Sequence, residues 1–234
     1  FAKCDMRRIV SIKLGVGADD QITLSDGTNS VIAGFGNDNI TVGAGTNFVF
    51  GDEGRREVLT DSGGNPTGTT QVNSLNGAVG GLDTITVGSG YNVVAGGADV
   101  DTITVNGTIP TARGIVLGDN GQMTLDNSGN LLSIQSTDFA SGAGDIITLT
   151  AGTNAVIGGA GADEITAGAG DNTILGDDGQ AEFFANGYLR LIESIHLGVG
   201  ADDQITLSDG TNSVIAGFGN DNITVGAGTN FVFG

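Results

Sequence analysis

Residues 14–51 read LGVGADDQITLSDGTNSVIAGFGNDNITVGAGTNFVFG, with Asp20, Asn29, Asp38 and Asn47 at intervals of nine. The same step runs through Asp83, Asn92 and Asp101, then Asp145, Asn154, Asp163 and Asn172, then Asp203, Asn212, Asp221 and Asn230. Each mark follows a Gly-rich turn and precedes a short alternating run such as QITL or NITV, the pattern of a tight turn feeding a strand. Two such units close one 18-residue coil of two strands and two turns. The expected fold is therefore all-β, a solenoid of stacked coils. Residues 197–234 repeat 14–51 without a change, at an offset of 183. The chain is one continuous repeat array over 1–234, covering a full 183-residue repeat and the start of another.

Composition agrees with stacked turns. Of 234 residues, 43 are Gly and only 2 are Pro, which excludes collagen. The 38% hydrophobic content is too high for a disordered Gly-rich tract. Acids outnumber bases 27 to 8, for a net charge of −19. Nucleic acid and anionic lipid both require clustered Lys and Arg, so neither is an expected partner. No apolar run is long enough for membrane insertion. A compact chain this acidic repels itself unless cations bind it, and Asp-rich clusters suit hard cations such as Ca2+.

The copy GGAGADEIT at 158–166 matches G-G-x-G-x-D-x-U-x, where U is large and apolar. On these nonapeptides the chain resembles the RTX, or haemolysin-type, calcium-binding repeat family. The resemblance implies a parallel β-roll with Ca2+ between stacked turns, held by Asp and by backbone carbonyls. It implies ligand roles for Asp20, Asp38, Asp83, Asp101, Asp145, Asp163, Asp203 and Asp221. Asp52, Asp119 and Asp177 stand where the next such turn begins and would complete each block. GDEG (51–54), GDNG (118–121) and GDDG (176–179) also resemble motifs of long bacterial surface proteins. One departure is plain: Asp and Asn alternate, so one edge should carry the Asp turns and the other the Asn turns. An amide lacks the charge a calcium site needs. Calcium is expected on the Asp edge alone, with stacked Asn side chains opposite.

Longer pieces, 51–82, 118–144 and 176–202, follow each pair of regular coils. Each starts and ends at the Asp edge and reads as a wider third coil; the alternative is a protruding hairpin. The array then divides into 1–13 (end of a wide coil), modules 14–78, 79–141 and 142–196, and 197–234. Alternation points Ile22, Ile40, Ile85, Ile103, Ile147 and Ile165 inward from one set of strands, and Val31, Val49, Val94, Val116, Val156 and Ile174 from the other. Outside the second set lie Ile32, Phe48, Phe50, Val93, Ile115, Leu117, Ile157 and Leu175, an apolar stripe expected to mediate self-association. The alternative is that the chain's own long turns fold over it.

Catalysis finds little support. His196 is the single histidine, and the repeat aligns it with Lys13. Cys4 is the single cysteine and reads as a turn filler, and one Cys with one His cannot make a zinc centre. Carboxylates recur at every coil, whereas an active site occurs once. The chain is not expected to be an enzyme. It begins at Phe1 without Met and reads as a window on something longer. The expected role is a calcium-rigidified structural segment of an extracellular or cell-surface filament, stalk or surface layer, assembling laterally or end to end with copies of itself. The alternative is the repeat module of a secreted adhesin or enzyme whose active domain lies elsewhere.

Overall fold

The computed structural model describes residues 8–10, 17–75, 77–108, 112–139, 141–196, 198 and 200–234. The expected placing of Cys4, and of most of 1–13, falls outside them. No described helix is long and apolar enough to cross a membrane.

Eight coils stack in register and build two parallel eight-stranded sheets. The first, here the threonine-faced sheet, holds Gln21–Leu24, Asn39–Val42, Thr84–Val87, Thr102–Val105, Ile146–Leu149, Glu164–Ala167, Gln204–Leu207 and Asn222–Val225. The second, here the middle sheet, holds Gly27–Ile32, Gly45–Phe50, Gly90–Ala95, Arg113–Leu117, Thr153–Ile157, Gly170–Leu175, Gly210–Ile215 and Gly228–Phe233. The register sets like upon like: Ile22, Ile40, Ile85, Ile103, Ile147, Ile165, Ile205 and Ile223 form one unbroken column. That column meets Val31, Val49, Val94, Val116, Val156, Ile174 and Val214 from the middle sheet in the first core. On the far side, Thr23, Thr41, Thr86, Thr104, Thr148, Thr166, Thr206 and Thr224 align as a matching outer row.

The long pieces are not a third coil. Asn39–Val42 pairs directly with Thr84–Val87, and Gly45–Phe50 with Gly90–Ala95, so the winding passes from one coil to the next with nothing between. Each piece leaves one Asp-edge turn, forms a hairpin and re-enters the same turn. Its two ends share an edge for that reason. Hairpin one is Gly54–Thr60 with Pro66–Ser74, hairpin two Gly121–Leu125 with Leu131–Ser136, and hairpin three Gly179–Phe183 with Leu189–Ser194. They join edge to edge into one antiparallel sheet, with Arg8–Val10 beyond hairpin one. The expectation that 1–13 ends a wide coil is corrected for Arg8–Val10, which belongs to this hairpin sheet.

The hairpin sheet lies on the outer face of the middle sheet. Its Val72, Met123, Leu125, Leu131, Ile134 and Ala181 pack on Phe48, Phe50, Val93, Ile115, Leu117, Ile157 and Leu175, with Ile32 partly buried beside them. The stripe expected to bind other copies is instead the floor of a second core. Phe50 is 2% exposed and Val93 1%. The reason is stoichiometric. Two coils advance about 9.6 Å at the usual strand spacing, and a two-stranded hairpin is equally wide. One hairpin for every two coils therefore matches the advance of the face it covers.

If this face is a core, Phe50→Ala lowers stability by about 3–5 kcal/mol in calcium-saturated denaturant unfolding and leaves the sedimentation coefficient unchanged. A residue of an exposed association face would instead change stability by about 0.5 kcal/mol or less, and change the oligomeric state.

Candidate metal centre along the aspartate edge

At the turn that enters each strand of the threonine-faced sheet, an Asp carboxylate reaches back one coil. Asp38 Oδ1 accepts the Asp20 N–H at 2.7 Å, Asp83 that of Asp38 at 2.8 Å, and Asp101 that of Asp83 at 2.8 Å. The ladder continues from Asp101 to Asp145, Asp145 to Asp163, Asp163 to Asp203 and Asp203 to Asp221, at 2.7 to 3.0 Å. Thus eight of the eleven predicted acids form one spine. Asp20, in the first described coil, is its exposed end.

The Asn edge is a separate ladder. Asn29 Nδ2 donates to Asn47 Oδ1 at 2.9 Å, Asn47 to Asn92 at 2.8 Å, Asn154 to Asn172 at 2.8 Å, Asn172 to Asn212 at 2.8 Å and Asn212 to Asn230 at 2.9 Å. Where the coil of Arg113–Leu117 has Gly114 in the Asn place, its backbone N–H donates to Asn154 Oδ1 at 3.1 Å. An amide both donates and accepts, so this ladder satisfies itself. A carboxylate only accepts, and the Asp ladder does not.

Each Asp spends Oδ1 on an N–H and has Oδ2 left over. Oδ2 of Asp38, Asp83, Asp101, Asp145, Asp163, Asp203 and Asp221 is buried with no donor. A Cβ on Gly51 would come within 2.0 Å of Asp83 Oδ2 and 2.6 Å of the Gly96 carbonyl oxygen. Gly96 looks in the same way on Asp101 Oδ2 and the Gly118 oxygen, Gly118 on Asp145 and Gly158, Gly158 on Asp163 and Gly176, and Gly176 on Asp203 and Ala216. At five successive turns a carboxylate oxygen and a carbonyl oxygen from the next coil face the space above one glycine. Each of these carbonyls takes one N–H, as Gly118 does from Gly97 at 3.0 Å, and keeps a second lone pair. Acceptors gathered without a donor are what a hard cation satisfies. Among the described residues no point gathers three or more acidic, His or Cys side chains, so backbone oxygens would have to complete any shell.

Asp52, Asp119 and Asp177 do different work. Asp119 accepts the Ala143 N–H at 3.2 Å and the Ala160 N–H at 2.5 Å, while Asp177 does the same for Ala201 and Phe218. Asp52 Oδ2 accepts Ala98 N–H at 2.7 Å, and its Oδ1 has no donor. These three clip the neck of each hairpin to the turn of the following coil. Sequence reading passed over Asp178, whose Oδ2 is also buried without a donor and whose doubled acid in GDDG was the available signal. Asp26 and Asp209 lie off the Asp edge, accepting Ala44 and Ala227 N–H groups at 2.7 and 2.6 Å. His196 is exposed and stacks on Phe139.

Burial raises these carboxyls. It pushes Asp101 up to about 10, with neighbouring Asp145 adding to the effect, and Asp119 up to about 9. Asp52 and Asp145 rise to about 8, Asp83 and Asp203 to about 7, Asp177 to about 6, and Asp163 well above the ordinary range. A carboxyl whose folded pKa exceeds its unfolded one binds more protons when folded. Its stabilising effect is complete below about pH 4 and is lost as pH rises through the folded value. The metal-free chain should therefore hold its β structure best near pH 4 and lose stability from about pH 4 to 10, with calcium reversing the loss at neutral pH. Circular dichroism melts across pH, with and without chelator, read this directly.

The RTX calcium-binding nonapeptide repeat matches the chain in four copies, over residues 15–57, 78–107, 148–180 and 197–234. No curated protein and no solved structure matches it. The matched stretches cover more than half of the chain and contain every acid of the Asp ladder except Asp145, so this protein belongs to the RTX calcium-binding nonapeptide repeat family.

Proposed function

We propose that the chain is a calcium-rigidified structural segment of an extracellular filament, stalk or surface layer, and not an enzyme. One observation carries the reading: a row of buried Asp Oδ2 atoms with no hydrogen-bond donor in the chain, five of which share the space above a glycine with a backbone carbonyl oxygen. Asp83, Asp101, Asp145, Asp163 and Asp203, with the carbonyls of Gly96, Gly118, Gly158, Gly176 and Ala216, are the donors we assign to Ca2+. Bound calcium would supply positive charge to a spine that is otherwise buried and unpaired, in a shell that accepts six to eight oxygens. The chain's own residues do the rest. Oδ1 fixes each carboxylate on the preceding coil, glycine leaves room above it, and the Ile and Thr columns hold neighbouring coils in register.

A structural role follows from repetition. The same pair of acceptors recurs along the axis, whereas a catalytic constellation would be singular. Free calcium is abundant outside cells, so folding would be completed there, and metal affinity becomes folding free energy. The threonine-faced sheet and the outer side of the hairpin sheet are polar, with Gln135 and Glu193 exposed and Arg55, Gln71 and Gln122 half-buried, and favour end-to-end over lateral assembly.

Exchanging charge for shape tests the assignment. Asp101→Asn keeps an acceptor for the Asp83 N–H but removes the negative charge. It should weaken calcium binding at adjoining turns by roughly tenfold or more, by calorimetric titration, since ligand charge sets affinity. It should also stabilise the metal-free chain at neutral pH, because folding no longer has to protonate a carboxyl that is ionised in the unfolded chain. Asn92→Ala breaks the other ladder and should cost about 1–3 kcal/mol with calcium affinity unchanged. Equal effects of the two changes on calcium affinity would remove the assignment.

A further inference from the structure

We infer that the free edge of hairpin three and the exposed face around Phe231 and Phe233 form a seat for hairpin one of a second copy of the 183-residue repeat, so that the hairpin sheet runs unbroken from repeat to repeat. The pairing has a precedent within the molecule. Arg8–Val10 lies antiparallel to hairpin one, with Arg8 opposite Glu57, Ile9 opposite Arg56 and Val10 opposite Arg55. The residues 183 further on are Leu191, Ile192 and Glu193, in the second strand of hairpin three. That strand pairs with Gly179–Phe183 on one side and, among the described residues, has no partner on the other.

The floor beneath this edge is also prepared. Phe231 and Phe233 are 60% and 64% exposed, whereas Phe48 and Phe50, in the identical stretch one repeat earlier, are 5% and 2% exposed under hairpin one. Around them opens a largely apolar groove of about 560 Å³, walled by Phe183, Leu189, Ile192, Val214, Phe231 and Phe233. Chemistry matches across the seat. Arg56 stands 4.1 Å over the Phe48 ring, and its counterpart in the second copy would stand over Phe231. The precedent register brings the second copy's Arg55 opposite Glu193, an opposite-charge pair where the first repeat has Val10. The Asp spine continues in step, since Asp38 donates its N–H to Asp83 and Asp221 occupies the place of Asp38.

The test extends the chain after Gly234 with a copy of residues 52–105 and follows amide hydrogen exchange by mass spectrometry in calcium. Seating predicts that Leu189–Ser194 exchanges at least about tenfold more slowly than in the unextended chain. Glu193→Arg should abolish most of that gain in the extended chain, while in the unextended one it removes only the exposed hydrogen bond from Gln180 Nε2 and shifts exchange far less. Protected coil strands in the copy with Leu189–Ser194 exchanging at its original rate would overturn the proposal, as would a copy left wholly unprotected. Amides of Asp83, Asp101 and Asp145 report the calcium reading separately in both chains, so either idea can fail alone.

Discussion

Adjacent coils of this protein lie one β-strand spacing apart, about 4.8 Å, and every other feature must repeat at that distance or a small multiple of it. Backbone hydrogen bonding imposes the spacing on the threonine-faced and middle sheets together. A side chain at one place in a coil therefore meets its equivalent in the next. For Ile40 on Ile85 and Thr41 on Thr86, this is favourable without further arrangement. For Asn47 on Asn92 it is favourable because an amide carries both donor and acceptor. For Asp38 on Asp83 it brings like charges together, and only half of each carboxylate finds a donor in the chain.

That imbalance separates the two edges in function. The fold buries an acidic spine, and burial, with neighbouring carboxylates adding to it at Asp101, shifts the carboxyls toward the protonated form. Protons relieve the spine in acid, and a divalent cation, as we propose, would relieve it at neutral pH. A chain built this way has a stability set by its surroundings. The hairpin clips at Asp52, Asp119 and Asp177 join the same system, because they hold each roof element to the turn of the next coil.

The coil, its two edges and the first core were legible from residue spacing read together with the nonapeptide resemblance, since a nine-residue step places apolar positions two and four beyond each Asp on one face of a short strand. The Asp and Asn ladders follow from the same phase. The hairpins were legible as strands and turns but not as a layer. Both a wider coil and an insertion within one turn begin and end at the Asp edge, so boundaries do not separate them. The alternation of Val72, Met123, Ile134 and Ala181 with polar neighbours fits either. The unpartnered Oδ2 atoms, and the different use of Asp119 and Asp177, depend on where backbone N–H groups point, and no spacing encodes that.

Local periodicity by itself determined that this chain winds into a two-strand coil, with carboxylates on one margin and amides on the other, because those choices are made within 18 residues and repeated. Only the tertiary structure decided what covers Phe48, Phe50 and their neighbours. The answer depends on matching the width of a hairpin to the advance of two coils, a relation between segments distant in sequence. Burying that apolar face within one molecule turned an expected contact between chains into a second core.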